Sequence, residues 1–72
     1  MSTKPFQLKA WRLHRLLTQA ELAERSGVSV RAISQLESLD RPPRILTVAK
    51  LAQALAIERV DLFRLPIEGE DR

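Results

Sequence analysis

The stretch from Thr18 to Ser38, TQAELAERSGVSVRAISQLES, places one of the chain's two glycines between two amphipathic runs of about two turns each. Glycine tolerates the left-handed backbone that ends a helix and turns the chain sharply. Thr18 and Glu21 stand three apart and fit a capping box that starts the first run, and Ser29 can cap the second. Leu22 and Ala23 form the inner face of the first run, and Ile33 and Leu36, three apart, that of the second. Ala23 lies four residues before Gly27, and its small side chain lets the two runs approach closely. Leu22, Val28, Ile33 and Leu36 then fill the angle between them. These spacings are those of a helix-turn-helix, which needs six positions to agree; the alternative is two core helices of an arbitrary small bundle.

The rest of the chain divides at turn and cap residues into three further helical stretches, giving five in all and no strand. A first helix starts near Pro5 and ends near Leu16 or Leu17, with Leu8, Trp11 and Arg15 on one side. After Glu37 the segment Leu39-Asp40-Arg41-Pro42-Pro43-Arg44 cannot be helical through its proline pair. A fourth helix spans about Ile45 to Leu55, with Val48, Leu51, Ala52 and Leu55 as its stripe. A fifth runs from about Arg59 to Arg64, with Leu62 inward. The expectation is an all-α, compact five-helix domain over residues 1–67, followed by an acidic flexible tail at 68–72.

Seventy-two residues allow one small domain. Its composition, 44% hydrophobic and 29% charged, is too apolar for a disordered chain. No cysteine is present and His14 is the single histidine, so neither a disulfide nor a metal site is expected, and a cytoplasmic setting is the default. No apolar run approaches the ~20 residues that span a membrane. Formal net charge is +3, and the last five residues hold three of the nine acids and one of the twelve bases. The remainder therefore carries 11 basic against 6 acidic side chains, or +5. A basic body favours a polyanionic partner, although an Arg-rich solvated surface gives the same count. An enzyme is rejected: the chain offers no paired carboxylates, no Ser or Cys with a His partner and no Gly-rich phosphate loop, and no cofactor is expected.

Thr18-Gln19-Ala20-Glu21-Leu22-Ala23, Gly27-Val28-Ser29, Ile33-Ser34-Gln35-Leu36-Glu37 and the run Lys50-Leu51-Ala52-Gln53-Ala54-Leu55 resemble the phage repressor and Cro-like helix-turn-helix domains of the XRE family. The resemblance extends from about Leu8 to Phe63. It implies a five-helix DNA-binding domain that regulates transcription as a dimer on a palindromic operator. It also pairs Arg12 with Glu37 as a partly buried ion pair orienting the recognition helix. The glutamine matching Gln19 commonly bridges phosphate and recognition helix, and the dimer contact often uses the C-terminal end, here Phe63, Leu65 and Ile67. Three family glycines are missing. Leu16, Ala56 and Ser38-Leu39 stand in their places. Positive φ at a non-glycine residue costs roughly 1 kcal/mol, so the turns at Leu16 and Ala56 are expected to be built differently.

With the third stretch in the major groove, its outward side chains are Ser29, Val30, Arg31, Ser34 and Gln35. Arg31 can grip guanine O6 and N7, and Gln35 adenine N6 and N7; Val30 offers only apolar contact, to a thymine methyl or a sugar. Family members often carry glutamine at that position, so base readout is reduced there. Phosphate contacts are expected at Thr18 and Gln19, where the second helix begins, at Lys9 and Ser38, and at Arg41 and Arg44, which flank the stiff Pro42-Pro43 pair. For each of these, a plain solvated side chain is the competing reading. Leu13, Leu16, Leu17 and Trp11 make the first helix more apolar than one stripe needs, and Phe63, Leu65 and Ile67 do the same near the C-terminus. Two functions follow: sequence-specific binding of double-stranded DNA by a homodimer, or a protein-interaction module, such as an antitoxin that covers a toxin.

Overall fold

The computed structural model describes residues 6–38 and 42–66. The expectations for Pro5, Leu39, Arg41, Ile67 and the 68–72 tail lie outside the described residues. Four α-helices follow in order: α1 (Leu8–His14), α2 (Gln19–Ser26), α3 (Val30–Glu37) and α4 (Ile45–Leu55). A 3-10 turn, Arg59–Phe63, takes the place of the expected fifth helix. The Asp61 carboxylate folds back to accept the Glu58 N–H at 3.0 Å, and the Arg64 N–H returns to the Asp61 carbonyl at 3.1 Å, which holds the turn tight. No strand occurs among the described residues.

The middle of the chain folds as its caps dictate. The Thr18 hydroxyl accepts the Glu21 N–H at 3.0 Å, and the Glu21 carboxylate accepts the Thr18 N–H at 2.8 Å. Gly27 stops α2 at φ 78°, with its N–H on the Ala23 carbonyl at 2.9 Å. Ser29 then caps α3 by accepting the Ala32 N–H at 3.1 Å.

The other two helix stops correct the expectation for the missing glycines. Leu16 and Ala56 both adopt φ 61°. After α1, the Leu17 N–H reaches the Arg12 carbonyl at 3.0 Å and the Leu16 N–H the Leu13 carbonyl at 3.0 Å. After α4, the Ile57 N–H reaches Ala52 at 3.0 Å and the Ala56 N–H reaches Gln53 at 3.1 Å. Each pair closes the six-to-one and five-to-two bonds of a Schellman stop. Four satisfied hydrogen bonds hold the strained backbone, so the turns keep the left-handed form without glycine.

α2 packs against α3 and α4, α4 against the 3-10 turn, and α1 against α3 and the 3-10 turn. Leu8, Leu22, Ile33, Leu51, Leu55 and Leu62 are fully buried at the centre, each contributing about 1.5–3 kcal/mol. Trp11 and Leu17 also lie in the core and so are not surplus apolar surface, while Leu13 and Leu16 are exposed. Phe6 joins the core and sets its ring 5.3 Å from that of Phe63. Arg15, on the Trp11 side of α1, is exposed. Its Nε donates to the Leu55 carbonyl at 2.8 Å, where the C-terminal end of α4 favours a cation, and its guanidinium lies 5.6 Å from the Trp11 ring centroid.

Candidate nucleic-acid interface

α3 owes its exposed face to its buried one. Ile33 and Leu36 point into the core, which turns Val30, Arg31 and Ser34 outward and leaves the capping Ser29 exposed in front of them. Val30 is 43% exposed, a large apolar side chain beside an arginine. Gln35 is half-buried and lines a groove of about 210 Å3 with Ala32, Leu36, Pro42, Pro43, Arg44 and Thr47. The groove joins α3 to the start of α4, so Gln35 and the exposed Arg44 stand at its rim.

Beneath this face, Glu37 collects three donors. Arg12 Nε donates to Oε2 at 2.6 Å and Arg12 Nη2 to Oε1 at 3.0 Å, a two-pronged contact between side chains only 10% and 6% exposed. Gln19 Nε2 adds a bond to Oε1 at 3.0 Å. The third prong of the guanidinium, Nη1, donates to the Leu17 carbonyl at 2.8 Å. α1, α2 and the end of α3 are thus tied through one carboxylate, and Arg12 adds the turn before α2. The hydrogen bonds from Arg12 to Glu37 raise the arginine's pKa further, against the opposing effect of burial. No buried polar side-chain atom among the described residues lacks a partner.

At the start of α2 the Thr18 hydroxyl accepts the Glu21 N–H. The Glu21 carboxylate shares that end, held below the usual carboxylate range chiefly by the Thr18 N–H and then by the Thr18 hydroxyl. Its charge opposes an anion there. Ser38 is placed differently: its hydroxyl, within 3.1 Å of the Ser34 and Gln35 carbonyls, aims its proton at the end of α3. Lys9 is exposed on α1. Of the C-terminal set, Leu65 is exposed and Phe63 half-buried against the core. Among the described residues no group of three or more His, Asp or Glu could hold a metal ion, and no helix is long and apolar enough to cross a membrane.

Sequence reasoning missed the two carbonyl acceptors, Leu17 and Leu55, and their arginine donors' geometry. A carbonyl is present at every position, so no residue type marks one. Trp11 did carry a signal: a buried indole N–H needs a partner. It finds two, the carbonyls of Asp61 at 2.7 Å and Arg64 at 2.9 Å.

A family model described as helix-turn-helix matches residues 8–62. A curated protein of Sinorhizobium fredii (strain NBRC 101917 / NGR234), named Uncharacterized HTH-type transcriptional regulator y4dJ, is 46% identical over 46 residues, or 64% of this chain. The match spans 60% of that relative's length. No solved structure matches the chain significantly.

Proposed function

The chain belongs to the helix-turn-helix family, and from that premise we propose that it binds double-stranded DNA sequence-specifically and regulates transcription, in the cytoplasm, as a homodimer on a palindromic operator. The observation that carries this reading is the exposed face of α3, Ser29 to Ser34 with Gln35 at its edge, backed by the buried Arg12–Glu37–Gln19 network. A helix meant to enter a groove needs free polar tips outside and a fixed axis inside. Arg31 reads guanine, Gln35 reads adenine, and Val30 meets a thymine methyl or a sugar. Thr18, Gln19, Lys9 and Arg44 donate to phosphates, with Ser38 joining only if it releases the end of α3. The curated relative's name supports regulation as the output.

Selection of bound duplexes from a random pool tests the proposal. The expected result is an enriched two-fold-symmetric sequence with half-sites about 34 Å apart, bound with an affinity that falls steeply as salt rises. An unenriched pool refutes it. A second reading, a protein-interaction module such as an antitoxin, draws support from Leu13 and Leu16, which are 52% and 89% exposed and lie off the α3 face. Co-purification of a second protein, lost on Leu16→Glu but kept on Arg31→Ala, identifies that reading.

A further inference from the structure

Of the large apolar side chains exposed among the described residues, Val30 alone stands on α3; the others belong to α1 and the turn after it, the start of α4, and the 3-10 turn and its exit. Val30 is the first residue of α3, the end that reaches base edges when such a helix enters the major groove. At 3.6 residues per turn, Arg31 and Ser34 hold the centre of the outward face, with Val30 on one flank and Gln35 on the other. The polar groups on the Val30 flank do not separate one pyrimidine from the other. The Ser29 hydroxyl accepts the Ala32 N–H. Glu37, seven residues on, has its carboxylate occupied by Arg12 and Gln19 and so is not free to accept from a cytosine amine. Ser34, four residues on, is exposed, and its hydroxyl donates to thymine O4 or accepts from cytosine N4–H, serving either.

Val30 itself has no polar side-chain atom. It does not sense the O4 or N4 group by which thymine and cytosine differ, and gains only from apolar surface at C5. Valine in a helix is held to one χ1 rotamer, so its methyl groups are ordered before contact and lose little entropy on making it. Thymine carries a methyl group at C5, 5-methylcytosine carries the same group in the same place, and cytosine lacks it. We propose that Val30 makes this chain a reader of the C5 methyl group rather than of a base. A cytosine methylated at C5 then substitutes for thymine in its site, and C5 methylation of the DNA strengthens binding. This deepens the DNA-binding reading above and rests on it. It names the ligand at this position as a C5-methylated pyrimidine in duplex DNA, and it sets the methyl contact against a sugar contact, which would leave no preference for either pyrimidine.

Duplexes selected from a random pool by the full wild-type chain and by Val30→Ala locate the position, as the one whose thymine preference the variant loses. Val30 is 43% exposed and alanine favours a helix more than valine does, so the variant folds. Four duplexes are then compared by titration, altered at that position in one half-site. Two place thymine or deoxyuridine opposite adenine, and two place 5-methylcytosine or cytosine opposite guanine. Within each pair the members differ by one methyl group and nothing else. The methyl group is expected to tighten wild-type binding about fourfold in both pairs, the worth of one buried carbon, and Val30→Ala by less than about twofold. Equal wild-type affinity for thymine and deoxyuridine overturns the proposal. So does a gain confined to the thymine pair, a gain that Val30→Ala keeps in full, or the same selected sequence from both chains. In each of those outcomes an enriched sequence still stands and only the assignment to Val30 fails. A pool that never enriches refutes the DNA reading and the proposal together, so the two failures are distinguishable.

Discussion

Replacing Ala56 by glycine isolates the free-energy cost of one backbone shape. Ala56 sits at φ 61°, ψ 44°, immediately after α4, and is exposed, so the substitution removes a solvent-facing methyl and no packing. The two hydrogen bonds of the stop, from Ile57 to Ala52 and from Ala56 to Gln53, are made by backbone and survive it. A left-handed L-residue costs about 1–2 kcal/mol, which glycine does not incur. Glycine gains about 0.4–1 kcal/mol of extra entropy in the unfolded chain, which offsets part of that. The net gain is about 0.5–1 kcal/mol, or a rise in Tm of roughly 2–8 °C for a domain of this size. Gly27→Ala runs the same argument backwards. An added Cβ at Gly27 meets nothing within 4 Å, so the loss there is backbone strain alone, of similar size and opposite sign. Urea unfolding followed by far-ultraviolet circular dichroism reads both variants. A destabilised Ala56→Gly, or a stabilised Gly27→Ala, refutes the claim that left-handed strain sets the energy of these stops.

Arg12→Met leaves the Glu37 carboxylate enclosed with only Gln19 bonded to it, and is expected to destabilise the fold by about 3 kcal/mol in the same unfolding assay. Thr18→Ala removes the hydroxyl that caps α2 and is expected to cost about 1 kcal/mol. The carboxyls of Glu21 and Asp61 are both held below their ordinary values of 4.5 and 3.8, the first by Thr18 and the second first by Arg64 and then by the Glu58 N–H. Depressed carboxylates stabilise the fold at pH values above their unfolded pKa, and that contribution disappears as the pH drops through their folded pKa. Stability measured by denaturation is therefore expected to be flat from pH 7 to about 5 and to fall below about 4.5, with a shallower acid limb in Thr18→Ala. On selected duplexes, Arg31→Ala is expected to cost about 1–3 kcal/mol and relax specificity at one base pair. Arg44→Ala is expected to weaken all sequences alike and to lower the salt slope by about one, as titration of affinity against salt would measure.

What could be read in the sequence was whatever a single segment decides. The capping box at Thr18, the stop at Gly27 and the stripes of α3 and α4 each follow from side chains within a few residues of one another. The left-handed turns at Leu16 and Ala56 could not be read that way, because the residue type argues against them and only the closing hydrogen bonds show why the geometry persists. The Trp11 side of Arg15 was legible, for its guanidinium lies 5.6 Å from that ring's centroid, but its bond to the Leu55 carbonyl, forty residues away, was not. Arg12 and Glu37 came from family resemblance, and only their geometry shows that Gln19 and the Leu17 carbonyl belong to the same cluster. In the candidate interface, the outward direction of Arg31 was legible from Ile33 and Leu36. The half-burial of Gln35 depends on the groove beside Pro42 and Pro43, which no local pattern encodes.

The indole of Trp11 donates to two carbonyls of the 3-10 turn, and the Gln7 N–H adds a bond of 2.7 Å to the Leu62 carbonyl beside it. The chain has a single tryptophan, so its intrinsic fluorescence watches this seam and nothing else. Peeling the turn away from α1 would hydrate the ring and shift its emission to the red while the helices, followed by their ultraviolet ellipticity, stayed intact. Two optical signals from an unlabelled chain can thus separate loosening of the edge that bears Val60 from melting of the whole domain.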